Sequence, residues 1–157
     1  MSKYWLFKSE PDVYGIDDLS KERQGIGRWD GIRNYQARNF LRDQVQVGDE
    51  VFVYHSQCKV PGVAGIARVV KNAYPDPAQF DPESDYFDPK ASPDQPRWYA
   101  VDVQFVDKFA QVVPLKALKQ ETALEDMVLL KQGRLSVQPV KASEWQHIVK
   151  LAQRQSP

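Results

Sequence analysis

Six prolines fall between residues 72 and 96, at Pro75, Pro77, Pro82, Pro89, Pro93 and Pro96. Proline has no N–H to give to a helix or a ladder, so no regular element can run through that stretch. It reads as a long surface loop, and the fold must be assembled from short elements on either side of it. The flanks agree. Tyr4 to Lys8 opens on aromatic and aliphatic residues and stops at Ser9-Glu10-Pro11, as a buried first strand would. Tyr99, Val101, Val103 and Phe105 alternate with Trp98, Ala100, Asp102 and Gln104, which predicts a half-buried strand over Arg97 to Val106.

The remaining elements are also short. Ile16 to Arg23 reads as a helix with Asp17 and Asp18 in its first turn, broken by Gly25-Ile26-Gly27. A second helix is expected from about Asn34 to Arg42, with Ala37, Phe40 and Leu41 toward the core. Tyr35, Arg38, Asn39 and Arg42 share its other face. Val47-Gly48-Asp49 is a turn, followed by strands over Glu50 to His55 and Gly62 to Val70. Beyond residue 106 the pattern predicts helices at Leu115 to Gln120 and Ala123 to Lys131, a strand at Leu135 to Val140, and a helix at Glu144 to Gln153. Ser143 and Gln146 have the spacing of a capping box for that last helix. Short strands interrupted by short helices point to an α+β fold, a small curved sheet or barrel flanked by helices, as a single domain over residues 1–157.

Several chemistries are disfavoured. The apolar runs fall short of the roughly 20 residues a membrane helix needs, so no membrane partner is expected. Cys58 is the one cysteine, which precludes an internal disulfide and fits a reducing, cytoplasmic compartment. His55 and Cys58 lie three apart, but the other histidine is distant at His147, too few ligands for a structural zinc. Asp81, Glu83, Asp85 and Asp88 lack the glycine and closing glutamate of a calcium loop. There is no G-x-S-x-G elbow and no glycine-rich phosphate loop. A non-catalytic protein without metal or cofactor is therefore expected.

Charge is balanced overall, with 21 basic and 21 acidic residues. Its distribution is uneven. Residues 21–42 carry six basic side chains against two acidic ones, and residues 76–96 carry one against six. The first stretch would attract a polyanion and the second repel it. Inside the basic stretch lies Trp29-Asp30-Gly31-Ile32-Arg33-Asn34-Tyr35-Gln36-Ala37-Arg38-Asn39. Taken singly, Trp29 fits core packing, Arg38 a surface ion pair and Asn34 a helix cap. As a group they suit a flat polar ligand such as a nucleobase, with aromatic faces to stack on its ring and amides to read its edge. Ser9, Tyr54, His55 and Ser56 end neighbouring strands, where a barrel mouth would bring them close.

These segments carry a family resemblance. Trp5-Leu6-Phe7-Lys8-Ser9-Glu10-Pro11 and the run 29–39 resemble the signature segments of EVE-domain proteins. So do Gly48-Asp49 with Tyr54-His55-Ser56, the glycine-rich strand 62–70, Ala73-Tyr74-Pro75-Asp76, Pro96-Arg97-Trp98, Leu135 to Val140 and Glu144-Trp145. The match spans almost the whole chain and resembles a standalone bacterial EVE protein. It implies a PUA-like small mixed β-barrel flanked by short helices, related to YTH and ASCH domains. Lys8-Ser9 followed by Trp29 is similar to the YTH pattern of a Lys-Ser pair and a cage tryptophan. The resemblance implies recognition of a modified base, methylated or hydroxymethylated cytosine in DNA, or binding of RNA. Less favoured is an enzyme acting on a modified nucleotide through Asp30 or His55. Carried over by position, the base pocket would use Ser9, Trp29, Asn34, Tyr35, Arg38, Asn39 and Ser56, with Phe80 as a loop aromatic closing it. Arg28, Arg33 and Arg42 would meet phosphates.

Overall fold

Strand β1 (Tyr4–Ser9) sends its side chains alternately into two hydrophobic clusters. Trp5 and Phe7 enter one and Leu6 the other, as the period of two requires. The computed structural model describes residues 3–154. Its strands are β1, β2 (Ile26–Trp29), β3 (Glu50–His55), β4 (Gly62–Pro75), β5 (Tyr99–Pro114) and β6 (Val137–Val140). They form one mixed sheet in the order β2-β5-β4-β3-β1-β6. β1 runs parallel to β3 and every other pairing is antiparallel.

The sheet is rolled. β1 and β2 are four places apart in it, which would separate them by about 19 Å if it were flat. Yet the rings of Phe7 on β1 and Trp29 on β2 are 5.7 Å apart. Residues from all six strands, Val137 of β6 included, meet in the cluster on the concave face. Register shifts at several points along the β4–β5 ladder bend the long strands around it. Among the described residues no ladder joins β2 to β6, so the roll is held shut by packing. The α+β, barrel-like expectation holds.

Short helices cover the rest. α1 (Pro11–Tyr14), α2 (Ile16–Lys21) and α3 (Tyr35–Asp43) lie on the concave side, where Leu19 of α2 and Ala37 and Leu41 of α3 are buried. α4 (Leu115–Leu118), α5 (Val128–Lys131) and α6 (Ala142–Arg154) cover the convex face, where Trp145 stacks on Phe52 at 3.7 Å. Two anchors fix the start of the chain. Buried Asp49 accepts from the Trp5 indole N–H at 2.9 Å. His55 Nε2 accepts from the Ile16 N–H at 3.1 Å, which requires a neutral ring with its proton on Nδ1.

The sequence reading differs from the structure in several places, the unforeseen short helix α1 among them. Gly25 to Gly27 is not merely a break: Ile26–Trp29 is a strand, paired with Val101 to Gln104 of β5. β4 and β5 run past their expected ends to Pro75 and Pro114, so the loop begins after residue 75. The helix expected over Ala123 to Lys131 is a 3₁₀ turn at Thr122–Leu124 followed by α5. Leu124 and Leu129 are both buried, and five positions on one helix would have pointed them in different directions. Ser143 lies inside α6 rather than capping it, and Glu144 instead accepts from the Lys141 N–H at 2.9 Å.

Candidate functional site

At the end of β1 and β2 the roll opens into a recess of about 550 Å³. Ser9, Trp29, Asp30, Arg28, Asn34 and Tyr86 are among the residues that line it. Trp29 is buried, with Phe7 on one side and the edge of Tyr14 at 6.0 Å, yet its residue forms part of the wall. Trp29 is thus braced in the core and reaches the recess with a small part of its surface, not as a free platform. The hydroxyls of Ser9 and Tyr14 are withdrawn from solvent and have no hydrogen-bond partner. Unpaired buried hydroxyls are uncommon; that of Tyr14 lies against Gly27, away from the recess, and Ser9 belongs to the recess lining. Burial, with Glu22, Asp18 and Asp30 adding charge, pushes the Tyr14 phenol up to about 12, so it is a neutral donor.

One carboxylate holds the loop that makes the wall. Asp76, fully buried, accepts from the Gly31 N–H at 2.9 Å, the Ala78 N–H at 2.8 Å and Arg33 Nη1 at 3.0 Å. Arg33 also donates to the Tyr86 carbonyl from Nε and Nη2, at 3.0 and 2.7 Å, and lies over the Tyr86 ring. Gly31 adopts φ +75°, and a β-carbon there would meet the Tyr86 ring at 2.9 Å. Buried Gln79 stitches the next part of the loop, donating to the carbonyls of Asp76 and Trp98 and accepting from the N–H groups of Arg97 and Trp98.

The expected site residues divide into groups. Ser9, Trp29 and Asn34 line the recess, with Arg28 at its rim. The Oδ1 of Asn34 caps α3 by accepting from Ala37, which leaves its amide nitrogen for the recess. Tyr35, Arg38 and Asn39 do not line it. Tyr35 stacks on Trp98 at 4.8 Å, Arg38 lies 4.8 Å from the Tyr35 ring centre, and Arg38 is bonded to Asn39 and the Arg97 carbonyl. Ser56 stands behind Ser9, donating from its backbone to the Ser9 carbonyl at 2.8 Å. Phe80 ends a 3₁₀ turn away from the recess, and Tyr86 is the loop aromatic that lines it. Arg33 reaches the recess with its guanidinium already engaged, so it positions the wall. Arg42 is exposed and paired with Asp43 at 2.8 Å, off the recess.

Lys8, Tyr14 and Tyr86 were not anticipated as lining residues. Lys8 lies in the quoted Lys-Ser pair, which was a signal; no periodicity marked Tyr14 or Tyr86. Burial pushes the Lys8 ammonium below its ordinary value. Burial and the nearby Asp76 carboxylate push Asp30 up, although Arg28 and Arg33 oppose them.

An EVE-domain family model matches residues 3–151. The chain belongs to the EVE-domain family. Human thymocyte nuclear protein 1 is 40% identical over 172 residues, covering 99% of this chain and 76% of that protein. The crystal structure of human THYN1 protein in complex with 5-methylcytosine-containing DNA superposes with a TM-score of 0.93 at 41% identity, covering 99% of this chain and 100% of that one. The crystal structure of a Pseudomonas syringae protein gives 0.90 at 53% identity, over 95% and 99% of the two chains. A YTH domain from Zygosaccharomyces rouxii, solved with N6-methyladenosine RNA, shares the EVE fold at a TM-score of 0.55 and 18% identity, over 97% of this chain and 87% of that one. Among the described residues no helix is long and apolar enough to cross a membrane.

Proposed function

We propose that this EVE-domain protein is a non-catalytic reader of a modified base, methylated or hydroxymethylated cytosine in DNA, taken into the recess beside Trp29. The observation that carries the reading is a recess of about 550 Å³ lined by Trp29 and by Ser9, whose hydroxyl is unpaired. Its likeness to the human protein solved with 5-methylcytosine-containing DNA supports the choice of base. A base inside a duplex cannot reach such a recess, so it would be extruded.

The energetics bound what the recess can do. Extrusion costs a few kcal/mol, and stacking contributes about 1–3 kcal/mol per base. The two nearly cancel, so the edge contacts and the modification decide occupancy. A buried methyl adds about 0.8 kcal/mol, a few-fold in affinity. Ser9, Asn34 and Asp30 supply edge groups around the base, and Arg28 meets the backbone at the rim. Tyr86 takes the role expected of Phe80. Tyr35, Arg38 and Asn39, outside the recess, lie on a surface that flanking nucleotides would cross, and Arg42, paired with Asp43, lies beyond it.

The test is a titration at fixed salt. Oligonucleotides carrying 5-methylcytosine, 5-hydroxymethylcytosine or plain cytosine, and their RNA equivalents, are compared. A several-fold preference for a modified DNA base is expected. Equal affinity for all of them removes the reading, and a preference for the RNA set moves it to RNA. Incubation with the modified nucleosides and product analysis should return them unchanged.

A further inference from the structure

We infer that Asp30 selects the base by its exocyclic amino group, accepting pyrimidines of the cytosine type and rejecting thymine. The inference deepens the reader function above and rests on it. Asp30 follows the wall residue Trp29 and itself lines the recess. Its carboxylate forms no ion pair among the described residues. The neighbouring carboxylate, Asp76, is spent on Arg33 and two backbone N–H groups. Glu10 and Asp30 are the carboxylates that line the recess, and Asp30 is the one that directly follows the wall residue Trp29.

An ionised carboxylate can only accept hydrogen bonds. Cytosine presents an amino donor where thymine presents a carbonyl oxygen. 5-Methylcytosine and thymine otherwise share ring size and the same methyl group. A wall that reads shape and a pocket that reads methyl cannot separate them. Asp30 can: it meets one with a hydrogen bond and the other with two facing oxygens. The unpaired Ser9 hydroxyl does not decide this, because it can donate to the unprotonated ring nitrogen of cytosine or accept from the protonated one of thymine. Arg28 and Arg33 near Asp30 favour its charged form, against partial desolvation and Asp76, and the residue is exposed at the surface.

The test uses the full chain and duplexes with the target base opposite an abasic site, so that pairing costs do not differ. The targets are 5-methylcytosine, thymine, plain cytosine and 5-methylpyrimidin-2-one, which lacks the amino group. Wild type is expected to bind 5-methylcytosine roughly ten- to hundredfold more tightly than thymine or 5-methylpyrimidin-2-one. D30N offers an amide that can donate to a carbonyl, and it should shrink the preference over thymine to within about threefold or reverse it. The comparison with 5-methylpyrimidin-2-one needs no variant, so it stands even if D30N folds poorly. Equal wild-type binding of 5-methylcytosine and thymine, with both above plain cytosine, overturns the role of Asp30 and leaves the reader function intact. Retention of the full preference by folded D30N overturns the role as well. Indifference to all four bases overturns both.

Discussion

Arg33 and Asp76 form an ion pair at 3.0 Å, with the carboxylate fully buried and the guanidinium largely so. The pair joins the loop after β2 to the loop after β4, and through the Tyr86 carbonyl it reaches the far side of the recess. It is therefore a structural fastener for the site. D76A removes the acceptor of three donors and strands the Arg33 charge. It should destabilise the protein by about 3–5 kcal/mol in urea denaturation, and binding should fall with it. A loss under 1 kcal/mol would show that the loops hold without it.

Trp29 does two jobs, in the core and in the recess wall. W29A should cost about 3–5 kcal/mol of stability through the cavity it leaves. W29F keeps a ring and should fold with a smaller loss. In folded W29A the preference for a modified base should vanish while weak, salt-sensitive binding persists. A preference that survives would place the base elsewhere.

Arg28 sits at the rim and Arg42 off it. R28A should weaken binding to modified and unmodified DNA alike, and lower the slope of log affinity against log salt by about one. R42A should leave that slope unchanged. Salt titrations of both variants decide the matter. Equal slopes for R28A and wild type would remove Arg28 from the phosphate path.

His55 gives the fold a dependence on acidity. Its Nε2 accepts from Ile16, and burial holds its pKa below the unfolded value of 6.5, with Asp17 and Asp18 opposing. Below 6.5 the unfolded chain protonates first. The stabilisation is therefore complete above pH 6.5 and is lost as pH falls from there through the lowered folded value. H55L leaves the Ile16 N–H without its acceptor and should cost about 1–3 kcal/mol at neutral pH. The difference between wild type and H55L in denaturation midpoint should shrink on acidification; a constant difference from pH 8 to 5 would contradict it.

The elements with strong periodicity were legible: β1, β3, α3 and the start of β5. β2 was not, because a two-sided strand of Ile26, Gly27, Arg28 and Trp29 has no local pattern and exists through its pairing with β5. The polar ends of β4 and β5 were hidden for the same reason, since each supplies the other's ladder. At the site, Ser9, Trp29 and Asn34, expected from the segments that resemble the EVE family, line the recess. Tyr35 and Arg38 were drawn into the pocket by adjacency in sequence. The first turn of α3 instead stacks Tyr35 on Trp98, far along the chain and connected to it by no spacing rule, and Arg38 lies over the Tyr35 ring. Arg33 looked like a phosphate ligand because its buried partner, Asp76, lies beyond two intervening strands.

Gly31 fixes the aperture. Its left-handed backbone and missing side chain let the Tyr86 ring rest directly on the loop. A methyl there would have to push that ring outward and twist the peptide out of its preferred hand. The width of the doorway is thereby written at a residue with no side chain to offer a visitor, so substitutions at position 31 should retune admission by size and strain the backbone link to Asp76 as they do so.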